Sequence, residues 1–483
     1  MKSGLSTSAP QGRSIAQFIA ARGLWVSIAV SAVFANLTGD WIVLPGMLAM
    51  WSFWRFLPTD EGPPGLQFSF SFHLFQILAG VFYFGVTQRP LMGHQAPQYH
   101  LMMVYATISL VMLFLGFLAG NKIMSGRRPP IEQLQFRVSL KQLMAAYVMA
   151  MLSRDLLTLF SDRFFVLTQP ILAISALQMG VLYLLFRRLF QEQQFLLVLV
   201  ILMFETARGF TGFYASFKEP IILALIAAVE ILKPRRVGHW VVIGSLIGAV
   251  IFSSVIWLGI RGAIREDMVT NAARTPGDRL AFATRELGYW WNRDWDNKLF
   301  DVDALANRVW EIYYTALVLD RVPSVLPHEE GALIGGALRH IVSPRFLFPD
   351  KKDLPSESED VRKYSGVYVA GREQRTTIAF GTVAQSYVDF GVPWMFLPPL
   401  ALGVFLGLAY RWFVTQIHFE EILLALLAVA FWSNLMPYNI AWAKLMGKLL
   451  TSMIYVGGLA VIFDHLLYAS RRREAGSVVG QVR

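Results

Sequence analysis

Residues 239–260 read HWVVIGSLIGAVIFSSVIWLGI, an apolar run that contains no Asp, Glu, Lys or Arg. A helix of this length rises far enough to cross the roughly 30 Å hydrocarbon layer of a bilayer. The whole chain shares this character, because 55% of its 483 residues are hydrophobic and 16% are charged. A soluble domain carries roughly 25% charged residues. The composition therefore excludes a soluble multidomain enzyme and a disordered chain, and it predicts an all-α polytopic membrane protein.

Eleven further apolar stretches, bounded by polar or helix-breaking residues, bring the prediction to about twelve transmembrane helices. The twelve stretches are residues 22–37, 40–56, 66–86, 99–120, 140–160, 166–186, 191–208, 219–233, 239–260, 392–413, 420–437 and 445–467. The predicted organisation is a tail at 1–21, spans one to nine within 22–260, a long loop at 261–391, spans ten to twelve within 392–467 and a second tail at 468–483.

Short basic clusters all fall on one side of this predicted bundle. Arg127 and Arg128 follow the fourth span, Lys233 and Arg235 follow the eighth, and an arginine run follows the twelfth. Because short cytoplasmic loops are enriched in Lys and Arg, both termini are predicted to be cytoplasmic. The loop 261–391, with 17 basic and 19 acidic residues, is then predicted to form a small periplasmic helical cap. The same rule explains the net charge of +10 without a nucleic-acid partner.

Ionisable residues in and beside the spans gather at the predicted outer end of the bundle. Four cations stand out there: Arg208, Lys218, Arg261 and Arg265. Such cations can bind a pyrophosphate and neutralise the charge that grows when it leaves. A transporter places its charges nearer the midplane, so this distribution favours an enzyme that acts at headgroup depth. Snorkelling of single cations at the membrane interface is the alternative, structural interpretation.

A general base at the outer face would take the proton from an attacking hydroxyl group. The candidates are Glu266, Glu329, Glu330, His340 and Asp389, and the sequence does not choose among them. The chain has no cysteine, and its histidines show no metal-ligand spacing. The sequence therefore predicts neither a metal ion nor a cofactor.

The predicted turn between spans seven and eight, RGFTGFYASFK at 208–218, combines glycines with aromatic residues. Its glycines allow a close approach of the backbone, and Tyr214 and its aromatic neighbours offer faces for stacking on sugar rings. An ordinary aromatic belt at the membrane interface would have the same composition.

The order of these features resembles the Wzy-type O-antigen or oligosaccharide repeat-unit polymerases. The resemblance rests on the late outer loop, on the turn 208–218 and on WLGIRGAIRE at 257–266. It also rests on SPRFLFPDK at 343–351 and on SYVDFG at 386–391.

The resemblance implies a GT-C-like enzyme at the periplasmic face of a bacterial inner membrane. Such an enzyme joins oligosaccharide units carried on undecaprenyl pyrophosphate, and its other partners are membrane lipids and, in some systems, a chain-length regulator. The four cations would bind pyrophosphate. Arg345 and Lys351 would help to place glycan or diphosphate, and Tyr387 and Asp389 would shape the acceptor side.

One feature separates the chain from the related O-antigen ligases. These ligases usually carry a His-Asn pair about eleven residues before the glycine at the loop exit, where this chain has Phe380 and Gly381. The departure favours a polymerase. A ligase, another lipid-carrier glycosyltransferase, a flippase or transporter of lipid-linked glycans and a structural membrane subunit remain open alternatives.

Overall fold

The computed structural model describes residues 14–57, 63–126, 134, 138–161, 168–210, 217–271, 275–343, 348, 355–374 and 376–481. Within these ranges the chain is helical and contains no β-strand; a single isolated bridge joins Leu134 to Phe419.

The helices up to the long loop are α1 (Ile15–Thr38), α2 (Val43–Phe56), α3 (Gly65–Thr87), α4 (Tyr99–Ser125), α5 (Leu140–Ser161), α6 (Thr168–Ser175), α7 (Leu177–Gln191), α8 (Phe195–Phe210), α9 (Lys218–Ile231) and α10 (Val237–Thr270). The long loop contains α11 (Pro276–Trp291), α12 (Trp295–Val309), α13 (Ile312–Arg321), α14 (Ala332–Val342), α15 (Glu357–Ser365) and α16 (Gly381–Phe390). The final helices are α17 (Leu397–Gln416), α18 (Glu420–Leu427), α19 (Ser433–Leu435), α20 (Trp442–Thr451) and α21 (Gly458–Gln481), and π-helical turns at Ala428–Trp432 and Ser452–Gly457 join α18 to α19 and α20 to α21.

Seven helical segments among the described residues are long and apolar enough to cross a membrane. They are Ile15–Thr38, Gly65–Thr87, Tyr99–Ser125, Pro170–Gln191, Val237–Met268, Trp394–Gln416 and Trp442–Arg473. This finding confirms the coarse prediction of a polytopic helical membrane protein. Other predicted spans fall on shorter helices: α2 and α9 have 14 residues each and rise roughly 21 Å, less than the roughly 30 Å hydrocarbon thickness.

Contacts between helix ends define two opposite ends of the bundle. At the end where α1 begins, the Ile15 amide donates to the Leu232 carbonyl at 3.0 Å. Arg187 at the end of α7 pairs there with Glu230 of α9 at 2.9 Å and with Glu420 of α18 at 2.7 Å. We call this the terminal end, and we call the opposite end, which carries residues 271–391, the loop end. The start of α1, the ends of α7 and α9 and the start of α18 therefore lie at the same end of the bundle, as expected if successive helices alternate in direction.

Helices α4 and α17 tie the part of the chain before the loop to the part after it. A Cβ atom at Gly116 or Gly120 of α4 would overlap a backbone carbonyl oxygen of α17. A Cβ at Gly403 or Gly407 of α17 would in turn overlap a carbonyl oxygen of α4. Small residues four apart allow this approach, which is a common way for helices to associate in membranes.

Part of the long loop lies inside the bundle and not on top of it. The indole Nε1 of Trp310, at the end of α12, donates to the Ile77 carbonyl within α3 at 2.9 Å. Its ring occupies space that a Cβ at Gly80 or Gly93 would fill. The sequence predicted a cap at the outer face, and within this predicted cap the α12–α13 turn packs its Trp310 indole against α3. The residue after Trp310 is Glu311, so the packing of the indole also helps to fix the position of Glu311.

Candidate functional site

Charged residues from six helices lie towards the loop end of the bundle. They are Arg154 and Asp155 of α5, Glu205 and Arg208 of α8, Lys218 and Glu219 of α9, Arg261 and Arg265 of α10, Arg308 of α12, and Lys444 and Lys448 of α20. The sequence singled out four of them: Arg208, Lys218, Arg261 and Arg265. Arg308 was missed, because nothing in the local sequence of α12 shows that its end turns back into the bundle.

Three cations from three helices form the centre of this region. Lys218 lies within electrostatic range of both Arg261 and Arg308, and Arg261 lies within range of Arg308. None of the three forms an ion pair with a residue in the described part of the chain. Like charges in proximity repel, and a bound anion would relieve this repulsion in addition to the Glu219 and Glu311 carboxylates, which lie within electrostatic range of Lys218. We call Lys218, Arg261 and Arg308 the cation triad.

Glu311 is a carboxylate held beside the cation triad. It lies within electrostatic range of Arg308 and Lys218, and the side-chain amide of Asn439 donates to one of its oxygens. The Asn439 amide oxygen is buried and has no hydrogen-bond partner among the described residues. Buried polar atoms normally have partners, so this oxygen is available to a donor from outside the chain.

The charged region continues from the triad towards α20. Glu219, next to Lys218, lies within electrostatic range of Lys448 and Arg154. One turn before Lys448, the Lys444 ammonium approaches the Glu357 carboxylate at 3.8 Å. The triad and the start of α15 therefore belong to one polar region at the loop end.

A cavity of about 460 Å³ opens beside Lys444. Its walls are α14, the start of α15, Gln385 of α16 and the chain before α20, and its ionisable lining residues are His340, Glu357, Asp360 and Lys444. Ligand pockets of about 300–1,000 Å³ hold small molecules, so the cavity is large enough for sugar units.

The Asp360 carboxyl gives the cavity a measurable pH dependence. Burial raises its pKa from the ordinary 3.8 to about 6, with Lys363 opposing the shift and Glu357 adding to it. An unfolded chain therefore releases this proton at a lower pH than the folded protein does, and Asp360 costs stability that grows between about pH 4 and pH 6. We expect Asp360→Asn to match the parent protein at pH 4 and to be more stable at pH 8, by roughly 1–2 kcal/mol after screening by cavity water.

Thermal unfolding of the purified protein in detergent at pH 4, 6 and 8 tests this expectation. Glu359→Gln is the matched control, because Glu359 lies exposed on the same helix and adds only a minor contribution to the Asp360 shift. An Asp360→Asn protein whose advantage is the same at every pH would contradict the prediction.

The structure separates the four predicted pyrophosphate-binding cations. Arg261 and Lys218 belong to the cation triad, and Arg265 lies within electrostatic range of Arg261. Arg208 instead pairs with Asp155 and lies 3.8 Å from Glu205, so carboxylates already balance its charge. The i,i+3 spacing of Glu205 and Arg208 already places these two residues on one helix face, whereas Asp155 is 53 residues away and no local spacing indicates it as a partner.

Two of the predicted site residues near the loop exit have structural contacts. Asp389 is fully buried, and its carboxylate accepts the Leu333 and Ile334 amides at 3.0 and 2.8 Å, so it caps the first turn of α14. The Tyr387 hydroxyl donates to the Val322 carbonyl at 2.9 Å. These contacts make the SYVDFG segment a support for the cavity wall.

The remaining candidate bases lie in different surroundings. Glu329 accepts hydrogen bonds from Lys363 and from the Tyr364 hydroxyl, both at 2.7 Å, and the Lys363 bond lowers its pKa, which makes it a weaker base. Glu266 and Glu330 are exposed, whereas His340 lines the cavity.

Three of the predicted glycan-binding residues, Tyr214, Arg345 and Lys351, lie outside the residues that the structure describes.

One group of described residues could hold a metal ion, and it lies at the terminal end. The possible ligand atoms of His418, Asp464 and His465 are within 4.8 Å of one another. Both oxygens of Asp464 already accept hydrogen bonds, from His418 Nδ1 at 2.7 Å and from the amides of His418 and Phe419 at 2.8 and 2.9 Å. The group thus has a structural role in starting α18. His418 precedes Asp464 by 46 residues, so local sequence spacing did not reveal the group.

The chain matches no protein-family model, and comparison with curated proteins and with solved structures returns no significant match.

Proposed function

We propose that the protein is a membrane glycosyltransferase that joins oligosaccharide units carried on undecaprenyl pyrophosphate into a surface polysaccharide. The observation that carries this proposal is the cation triad, three positive charges that converge without an ion-paired carboxylate. A pyrophosphate ester offers several negative charges in a small volume, and its charge rises as the glycosidic bond to it breaks. The arrangement of the triad suits this leaving group.

The proposed setting is a bacterial inner membrane, crossed twelve times, with both termini in the cytoplasm and a GT-C-like arrangement. The loop end would then face the periplasm, where lipid-linked repeat units are joined. Helices α2, α5, α8 and α9 and the π-interrupted α18–α19 segment would supply the other five spans in addition to the seven long ones.

In the proposed reaction, a sugar hydroxyl of the acceptor unit attacks the anomeric carbon of the growing chain. The new glycosidic bond forms as the bond from that carbon to the pyrophosphate oxygen breaks. Glu311 takes the hydroxyl proton, and undecaprenyl pyrophosphate leaves with its charge opposed by the cation triad. The cavity next to Lys444 would hold the acceptor glycan, and the Asn439 amide oxygen would accept a hydrogen bond from one of its hydroxyls.

The distribution of charge supports an enzyme over a transporter. A transporter for an anionic lipid-linked glycan needs cations along its path. Here the triad lies at the loop end, and at the terminal end Arg187 is paired with Glu230 and Glu420. A carboxylate-paired cation gives little attraction to a passing pyrophosphate.

The test is reconstitution of the purified protein in liposomes that contain undecaprenyl-pyrophosphate-linked oligosaccharide as the only glycan. A polymerase converts these units into a ladder of longer lipid-linked chains and releases undecaprenyl pyrophosphate. A matched substrate whose accepting hydroxyl is methylated should give no ladder. If the protein only moves units between leaflets, or transfers them only when lipid A is added, the polymerase proposal is wrong.

A further inference from the structure

The α11–α12 hairpin carries apolar side chains on the side that faces away from the rest of the protein. In α11, Leu280, Leu287 and Trp291 follow one another at spacings of seven and four residues, which places them on one helix face. Their exposed fractions are 44%, 38% and 62%. In α12, Trp295 and Leu299 share a face at i and i+4 and are 78% and 39% exposed.

The opposite side of the hairpin is fixed to α10. Trp290 is buried, and its Nε1 donates to Asp301 of α12 at 2.8 Å. Arg293 in the turn donates to the Gly259 carbonyl of α10 at 3.3 Å and pairs with Asp301 at 3.5 Å. A Cβ at Gly259 would overlap the Trp290 ring. The exposed apolar face therefore belongs to a hairpin held firmly by its other face.

The position of the hairpin along α10 places it beside the apolar part of that helix. The Trp290 ring packs edge-to-face on Phe252, with 6.2 Å between ring centroids. Phe252 precedes Arg261 by nine residues, so it lies roughly 13 Å deeper along the helix. Phe252 and its neighbours Ile251 and Ile247 are exposed in a helix long and apolar enough to span a membrane. Their outward face is the one that lipid would cover.

We propose that the α11–α12 hairpin is seated in the bilayer leaflet at the loop end, with its exposed apolar face in contact with lipid. The hairpin continues the lipid-facing surface of α10, and this continuity identifies lipid as the occupant. Indole and phenol side chains concentrate at the boundary between headgroups and acyl chains. Trp291 and Trp295, 62% and 78% exposed, supply two such rings on this face, and Tyr289 and Phe300, 63% and 71% exposed, add aromatic surface to the same hairpin.

Lys298 supports the choice of lipid over a sugar ligand for this surface. Its ammonium lies 5.5, 5.9 and 5.2 Å from the ring centroids of Trp290, Trp291 and Trp295 and donates to the Trp291 carbonyl at 2.8 Å. The stem of a lysine at a membrane interface lies among apolar groups while its charge reaches the headgroups. A sugar ring stacking on these indoles would compete with this ammonium.

Insertion of the hairpin in the leaflet would also affect the position of Arg308, whether or not the proposed reaction takes place. Helix α12 begins at Trp295 on the lipid-facing surface and carries Arg308 at its other end, beside Lys218. Lipid contact at the start of α12 would therefore hold the position of one member of the cation triad.

Site-directed spin labelling tests the proposal directly, because the full chain contains no cysteine. Trp291→Cys and Phe300→Cys would each be labelled in the full-length protein, with one protein per phosphatidylglycerol–phosphatidylcholine nanodisc. Ile251→Cys on α10 is the lipid-facing control, and Ser324→Cys, exposed after α13, is the aqueous control. Collision rates with oxygen, which concentrates in lipid, and with a water-soluble nickel chelate are then compared.

We expect the labels at 291 and 300 to favour oxygen over the nickel chelate, with the same sign as Ile251→Cys and the opposite sign to Ser324→Cys. Dominant nickel collisions would show an aqueous cap and overturn the proposal. Low collision rates with both reagents would show burial against another protein surface and would also overturn it. Thermal unfolding and gel filtration of each variant confirm the fold, and Leu299→Cys replaces any variant that fails this check.

Discussion

If the proposed glycan transfer takes place at the cation triad, we expect replacement of Arg261 by glutamine to lower its rate by about 10²–10³-fold, the usual effect of removing one group that stabilises developing charge. Arg261 approaches both Lys218 and Arg308 without an ion pair in the described part of the chain, so its charge is free to act on a bound anion. The loss should fall mainly on kcat, because the charge on the pyrophosphate increases in the transition state. In a producing strain, single lipid-linked repeat units should accumulate and long chains should disappear.

Arg236→Gln is the matched control for this prediction. Arg236 is exposed and stands just before α10 at the terminal end, so the same helix loses the same charge far from the triad. We expect unchanged transfer in this variant and an unchanged unfolding temperature in both variants. Equal rates for Arg261→Gln and the parent protein would remove the triad from the reaction.

Arg261 could be predicted from the sequence because it belongs to a local pattern. It follows an uncharged run of 22 residues, and Arg265 comes one turn later, so helix periodicity alone places both at the end of a span. The same reasoning located Lys218 at the start of α9. In each case the apolar run fixes the depth of the charge, and no distant contact is needed.

Arg308 and Glu311 could not be predicted in this way. Their segment has an ordinary mixed composition, and their depth depends on the indole of Trp310 fitting beside Gly80 and Gly93, more than 200 residues earlier in the chain. The sequence therefore assigned this segment to a cap at the outer face. The insertion follows from long-range shape complementarity, which local periodicity does not encode.

Asp389 shows how a motif can place a residue correctly and still leave its role open. The SYVDFG segment does lie at the loop end, but its carboxylate caps α14, whose first residue is 57 positions earlier in the chain. Nothing near Asp389 in the sequence shows this partner. The contact gives Asp389 a structural role beside the cavity, and its role as a base stays a prediction.

We expect Glu311→Gln to lower the rate of glycan transfer by about 10²–10⁴-fold, because removal of a general base has an effect of this size. Glutamine keeps the size of the side chain and an oxygen that can accept from Asn439, so the fold should be preserved.

Asp389→Asn is the contrasting variant. It replaces one carboxylate oxygen by an NH₂ group, which cannot accept a hydrogen bond from a backbone amide, and this loss should cost roughly 1–3 kcal/mol of stability. Thermal unfolding and kcat measured on both proteins separate the two roles: Glu311→Gln should lose kcat at a constant unfolding temperature, and Asp389→Asn should unfold earlier while its folded fraction stays active. If Glu311→Gln keeps its rate, Glu311 does not take the proton, whereas an inactive but stable Asp389→Asn would restore Asp389 as the candidate base.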